Sequence, residues 1–143
     1  MNIEERQQEI VSEFSMFSDW MQKYEYIIEL GKELPLIDAQ YKTDDNLIKG
    51  CQSRVWLYAD KNENGNIIFT ADSDAIITKG LVALVVRVLS NQKPKDIAEV
   101  DIHFVNDIGL NEHLSQTRSN GLASMIKQMK MYAFAYTNRP AHG

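Results

Sequence analysis

VWLYADKNENGNIIFTADSDAIITKGLVALVVRVLSNQ, residues 55–92, decides how this chain folds. Residues 55–59 and 67–71 are rich in β-branched and aromatic side chains and read as strands. Between them lies KNENGN, residues 61–66, whose Asn64-Gly65 pair suits a tight turn with positive φ. The two runs therefore form an antiparallel hairpin. Then the period changes. Ile76, Ile77, Leu81, Leu84, Val85, Val88 and Leu89 recur at helical spacing, and Asp72, Ser73 or Asp74 can cap the start. Val82, Ala83 and Val86 make this helix apolar on most sides, which marks it as the buried central helix. Gly80 lies inside it and costs about 1 kcal/mol relative to alanine. A neighbouring backbone lying close would compensate.

Upstream of the hairpin, Ile3, Ile10, Val11, Phe14 and Phe17 fall at helical spacing. Ser18-Asp19 offers a new N-cap, with Gln22 three residues beyond Asp19. Trp20, Tyr24, Ile27, Ile28 and Gly31 form the next stripe, which stops between residues 31 and 34 because Pro35 cannot continue it. Residues 36–46 read as a loop, and a short strand before Gly50 would add a third to the sheet. Downstream, Pro94 opens a short helical piece, and residues 103–114 give one more short helix. TRSNGL, residues 117–122, leads into a long last helix. There Leu122, Ile126, Met129, Tyr132, Ala133 and Tyr136 share a face, with Lys127, Lys130 and Arg139 toward its C-terminal end. The expected fold is α+β: one domain over residues 1–143, with helices laid on a small antiparallel sheet.

Composition narrows the function. A hydrophobic fraction of 44% supports a real core, and a net charge of −5 argues against a general nucleic-acid binder. No apolar run reaches the about 18 residues a membrane span needs. MNIEERQQEI at the N-terminus is too polar for a signal peptide, so a cytoplasmic location is expected. One cysteine excludes an intramolecular disulfide, a zinc ribbon and a protein-held iron–sulfur cluster. His103, His113 and His142 show no ligand spacing, so no metal is expected. The six methionines, including Met125, Met129 and Met131, read as core filling, and Trp20, Tyr24 and Trp56 as core.

The single thiol, Cys51, follows Gly50 in NLIKGCQSRVW, residues 46–56. A lone cysteine is commonly a small buried hydrophobe. Here it stands at a loop tip, where reactive groups concentrate, and Gly50 lets the backbone bend. Lys49 and Arg54 could stabilise a thiolate. A Cys–His hydrolase needs a marked base, and a redox sensor a resolving cysteine. A thiol that accepts a group and hands it on needs neither.

GCQSRVW (50–56) resembles the signature of the SufE family of sulfur-acceptor proteins. KYEYIIELGKELP (23–35), DSDAIITKGLVAL (72–84) and LSQTRSNGL (114–122) resemble further family elements in the same order. Together the resemblance spans roughly residues 10–135. It implies a SufE/IscU-like fold and a pyridoxal-phosphate cysteine desulfurase of the SufS type as partner. Cys51 would take persulfide sulfur from the desulfurase, stimulate it, and pass sulfur to an iron–sulfur scaffold. Such a protein is either non-enzymatic alone or a sulfurtransferase-like acceptor within a desulfurase complex; it holds no cofactor of its own and could form a homodimer. Gly50, Gln52 and Ser53 would shape the loop, with Asp74 and Arg118 toward the partner. Leu47, Ile48, Val55 and Trp56 would shelter a retracted Cys51, and Lys79 would be a solvated helix residue. Arg54 beside the thiol and TNRPAHG at the end depart from the commonest family pattern. The rivals are a docking activator that carries no sulfur and a stand-alone thiol hydrolase.

Overall fold

A computed structural model describes residues 1–137. Helices α1 (Ile3–Phe14) and α2 (Trp20–Gly31) come first, then two 3-10 turns at Ala39–Tyr41 and Asp44–Asn46. Strands β1 (Val55–Lys61) and β2 (Ile67–Ser73) follow, with α3 (Ile76–Leu89), α4 (Pro94–Glu99), α5 (Phe104–Asp107), α6 (Leu110–His113) and α7 (Gln116–Thr137) after them. The strands pair antiparallel with Val55 opposite Ser73 and Lys61 opposite Ile67. The expected third strand is only a bridge, Leu47 to Trp56. In the hairpin turn Gly65 alone takes positive φ, at 82°. Asn62 closes the turn instead, accepting from the Asn64 and Asn66 amides.

The central helix is buried on nearly every side, as its sequence predicts: among others Leu81, Leu84, Val85, Val88 and Leu89 are at most 1% exposed. Gly80 shows why it is tolerated there. A Cβ at Gly80 would stand 2.1 Å from the Ile27 carbonyl oxygen, and one at Gly31 would stand 3.0 Å from the Gly80 nitrogen. Two glycines thus let the backbones of α2 and α3 touch, so the expected close neighbour is α2. Asp19 caps α2, accepting from the Gln22 amide at 2.8 Å. On α1, Asn2 and Glu5 form a reciprocal capping box.

Four expectations need correction. No side chain caps α3, because Asp72 pairs with Lys42 while Ser73 and Asp74 bond to the Arg54 backbone instead. Residues 103–114 form two helices, since Gly109 turns left-handed at φ 83° and breaks the run. The last helix begins at Gln116, so TRSNGL is its first turns; the Ser115 hydroxyl accepts from the Arg118 amide and supplies the cap. Met125 and Met129 are core, but Met131 is 54% exposed, and Met1, Met16 and Met21 are exposed as well. Arg139, His142 and most of TNRPAHG lie outside the described residues. No helix among the described residues is long and apolar enough to cross a membrane.

Candidate functional site

Cys51 sits midway along a short loop fixed at both roots. At one root the Ile48 amide donates to the Val55 carbonyl at 2.8 Å. At the other, the Arg54 amide donates to Asp74 Oδ1 at 3.0 Å, the Asp74 amide donates to the Arg54 carbonyl at 3.2 Å, and the Ser73 hydroxyl donates to that carbonyl at 2.9 Å. Asp74 therefore anchors the loop rather than capping α3. The free span is residues 49–53.

That span rests on α7. Gly50 takes φ 91°, and a Cβ there would fall 2.6 Å from the Ser124 hydroxyl. Glycine is needed for its left-handed backbone, and its lack of a side chain leaves the Ser124 hydroxyl undisturbed. Next to it the Cys51 thiol donates to the Gly121 carbonyl, with Sγ 3.5 Å from the oxygen. A Cβ at Gly121 would lie 3.6 Å from Sγ. The sulfur is half-buried over a cleft of about 110 Å³, with Gln52, Ser53, Thr117 and Arg118 toward its mouth and Thr78, Leu81 and Met125 deeper in.

The cleft's walls thus come from α3 and α7, and none of Leu47, Ile48, Val55 and Trp56 lines it. Ile48, Val55 and Trp56 are buried in the core and at the sheet, and Lys42 covers the Trp56 ring at 4.6 Å. Neither Lys49 nor Arg54 lowers the thiol's pKa; burial pushes it up from its ordinary value. Lys79 is partly solvated but pairs with Asp72 at 3.4 Å.

The structure brings Gly50, Gln52, Ser53 and Arg118 to the thiol and places Asp74 at the root of its loop. It does not bring the histidines. His103 lies between Glu4 and Asp107, and His113 stacks on Trp20 with ring centres 4.4 Å apart. Neither lines the cleft. No group of three metal-ligating side chains occurs among the described residues. Thr78, Leu81, Gly121, Ser124 and Met125 are site residues that sequence reasoning missed. Their signal was present: Thr117, Gly121 and Met125 are four apart, and so share one face of a helix that contains the signature element.

The fold and the site together define a small α+β protein whose lone thiol is held in a docked loop. Its sequence matches SufE, the Fe-S metabolism associated domain, over residues 8–133, and the chain belongs to the SufE family. The fold is similar to that in the solution structure of a hypothetical protein from Thermus thermophilus. That likeness has a TM-score of 0.77 and 16% identity, and covers 94% of this chain and 97% of the other. It supports the α+β SufE-like fold; the family membership associates the chain with Fe-S metabolism.

Proposed function

We propose that this protein is a sulfur acceptor and carrier acting with a cysteine desulfurase of the SufS type. The observation that carries the reading is the placement of its one thiol. Cys51 is docked at the middle of a loop, half-buried, beside a cleft with room for further atoms.

Transfer requires the Cys51 proton to leave and the thiolate to attack the terminal sulfur of a persulfide on the donor. A bond forms between Cys51 Sγ and that sulfur. The donor's S–S bond breaks, and the donor cysteine departs with the electron pair and takes up a proton. No oxidant is consumed. Burial holds the docked thiol protonated, so acceptance involves the loop leaving α7, which restores water to the sulfur and acidity to the thiol. Asp74 keeps the loop's root in place during the movement. Gln52 and Ser53 shape the loop, and Arg118, exposed at the mouth, faces the partner. The pyridoxal phosphate belongs to the desulfurase, and an iron–sulfur scaffold is the onward acceptor.

The test is mass spectrometry of the intact protein after incubation with a SufS-type desulfurase, pyridoxal phosphate and L-cysteine. Wild type should gain one sulfur atom, reversibly with reductant, and Cys51→Ser none. Stimulation of the desulfurase should vanish with Cys51→Ser. Stimulation retained by that variant would instead make the protein a docking activator.

A further inference from the structure

Thr78 presents the one detail of the cleft that the carrier role leaves unused. It sits in the first turn of α3 and is 7% exposed. Its hydroxyl makes no hydrogen bond among the described residues. A helical threonine commonly bonds back to the carbonyl four residues before it, as Thr137 does to Ala133 at 2.9 Å. Thr78 has no such carbonyl in place. The residue four before it is Asp74, which precedes the helix and whose amide donates to the Arg54 carbonyl at the loop root. No fully enclosed side-chain oxygen or nitrogen among the described residues lacks a partner, so this hydroxyl opens onto space. The space its residue lines is the cleft beside Cys51.

A donor that opens onto a small cleft and has no protein acceptor is placed to meet a group that enters there. Of the other groups deep in the cleft, Leu81 offers no acceptor and Met125 only a weak one. The cleft also borders the first turns of α3, which no side chain caps and where the helix dipole favours negative charge.

We propose that Thr78 holds the cargo: once Cys51 is persulfidated and the loop has docked again, the terminal sulfur enters the cleft and accepts a hydrogen bond from the Thr78 hydroxyl. This rests on the carrier reading and adds to it the residue that retains the sulfur. A hydropersulfide is more acidic than its thiol, so the terminal sulfur carries negative charge, and a donor aimed at it both steadies it and keeps it from attack. Arg118 stands at the mouth of the same cleft.

The test separates this proposal from the carrier reading by loading sulfur in two ways. In the first, inorganic polysulfide is the donor. The Cys51 thiolate bonds to a terminal sulfur, an S–S bond of the polysulfide breaks, and the shortened polysulfide leaves with the electron pair. Wild type, Thr78→Val and Thr78→Ser are loaded, and two quantities are followed: loss of the added sulfur to a thiol reductant, and the pH midpoint for alkylation of the persulfide. Thr78→Val keeps the shape of the side chain and removes the donor. It should release sulfur about tenfold faster and raise the midpoint by about one pH unit, the effect of one hydrogen bond to a charged group. Thr78→Ser should behave as wild type, which a purely structural role for the residue would not predict. Thr78→Ala serves the same comparison should the valine variant not fold. Equal release and equal midpoints in wild type and Thr78→Val would overturn the proposal, and so would failure of wild type to hold any added sulfur. In the second arm a SufS-type desulfurase with L-cysteine is the donor. Loading by polysulfide but not by the desulfurase would overturn the carrier reading while leaving the Thr78 effect standing. Loading by both, with no effect of Thr78→Val, would do the reverse.

Discussion

Two glycines touch the thiol loop, and they differ in what they forbid. Gly50 takes φ 91°, and a Cβ there would need the Ser124 hydroxyl to turn aside. Gly50→Ala introduces a left-handed alanine in the docked loop, a strain of about 1–2 kcal/mol that favours the loop leaving α7. The freed thiol loses the burial that raises its pKa. Its alkylation at neutral pH should therefore quicken, and the midpoint of its pH profile should fall toward that of an unburied cysteine. Gly121 has ordinary helical backbone, and a Cβ there meets Sγ at 3.6 Å, a normal contact. Gly121→Ala should stabilise the protein by up to about 1 kcal/mol through helix propensity, measurable by urea unfolding, with the thiol still docked. A faster-reacting thiol in Gly121→Ala would show that the contact is tighter than the geometry states.

Between elements, the decisive contact is the crossing of α2 and α3. Gly80→Ala drives a methyl into the Ile27 carbonyl at 2.1 Å, and a backbone atom cannot rotate aside as a side chain can. The helices must separate, at a cost of about 3 kcal/mol, the upper end of ordinary overpacking, which outweighs the propensity gain. Thermal unfolding would register it as a drop of several degrees, and an unchanged melting temperature would refute the contact. This crossing was legible in the sequence, because a glycine that weakens an otherwise apolar helix points to a backbone lying against it. So were the hairpin, the caps of α2 and the long last helix, each announced by period or by cap chemistry. The cleft was not. Its walls come from α3 and α7, some 40 residues apart in the chain, and only packing brings Thr78 and Leu81 opposite Gly121 and Met125. Local charge misled for the same reason. Lys49 and Arg54 flank Cys51 in sequence, yet the docked sulfur responds to the burial it finds on α7. The break at Gly109 was hidden because its flanks keep apolar residues at helical spacing on either side.

At the scale of the whole molecule, a polar knot helps fasten the first third of the chain to the last. Gln7, fully buried, accepts from the His103 and Phe104 amides and donates to the Asp101 carbonyl. Beside it the His103 ring lies 2.7 Å from Glu4 and 2.5 Å from Asp107. The hydrogen bonds to Asp107 and then Glu4 hold the imidazole's pKa above its ordinary 6.5. A raised folded pKa adds stability that is complete below the unfolded value and disappears as pH rises through the folded one. The Glu4 carboxyl is shifted the other way, down from 4.5, by its bonds to Gln8 and His103, so its share is lost as pH falls. The knot is therefore strongest between those two ordinary values. Thermal unfolding of wild type should show stability declining as pH climbs above 6.5, and His103→Gln should flatten that limb. A slope identical in the two proteins would remove His103 from the account.

The two roots of the thiol loop also set a distance. Cys51 stands three residues from Ile48 and three from Arg54, and each residue spans at most about 3.3–3.6 Å. While both roots hold, the Cys51 backbone can range no farther than roughly 10 Å from either of them. A tether this short cannot carry sulfur across a gap between two distant centres. On the carrier reading proposed above, the sulfur donor must bring its own reactive atom almost to the surface of α7, so that close approach of whole proteins, and not the reach of an arm, would govern the exchange.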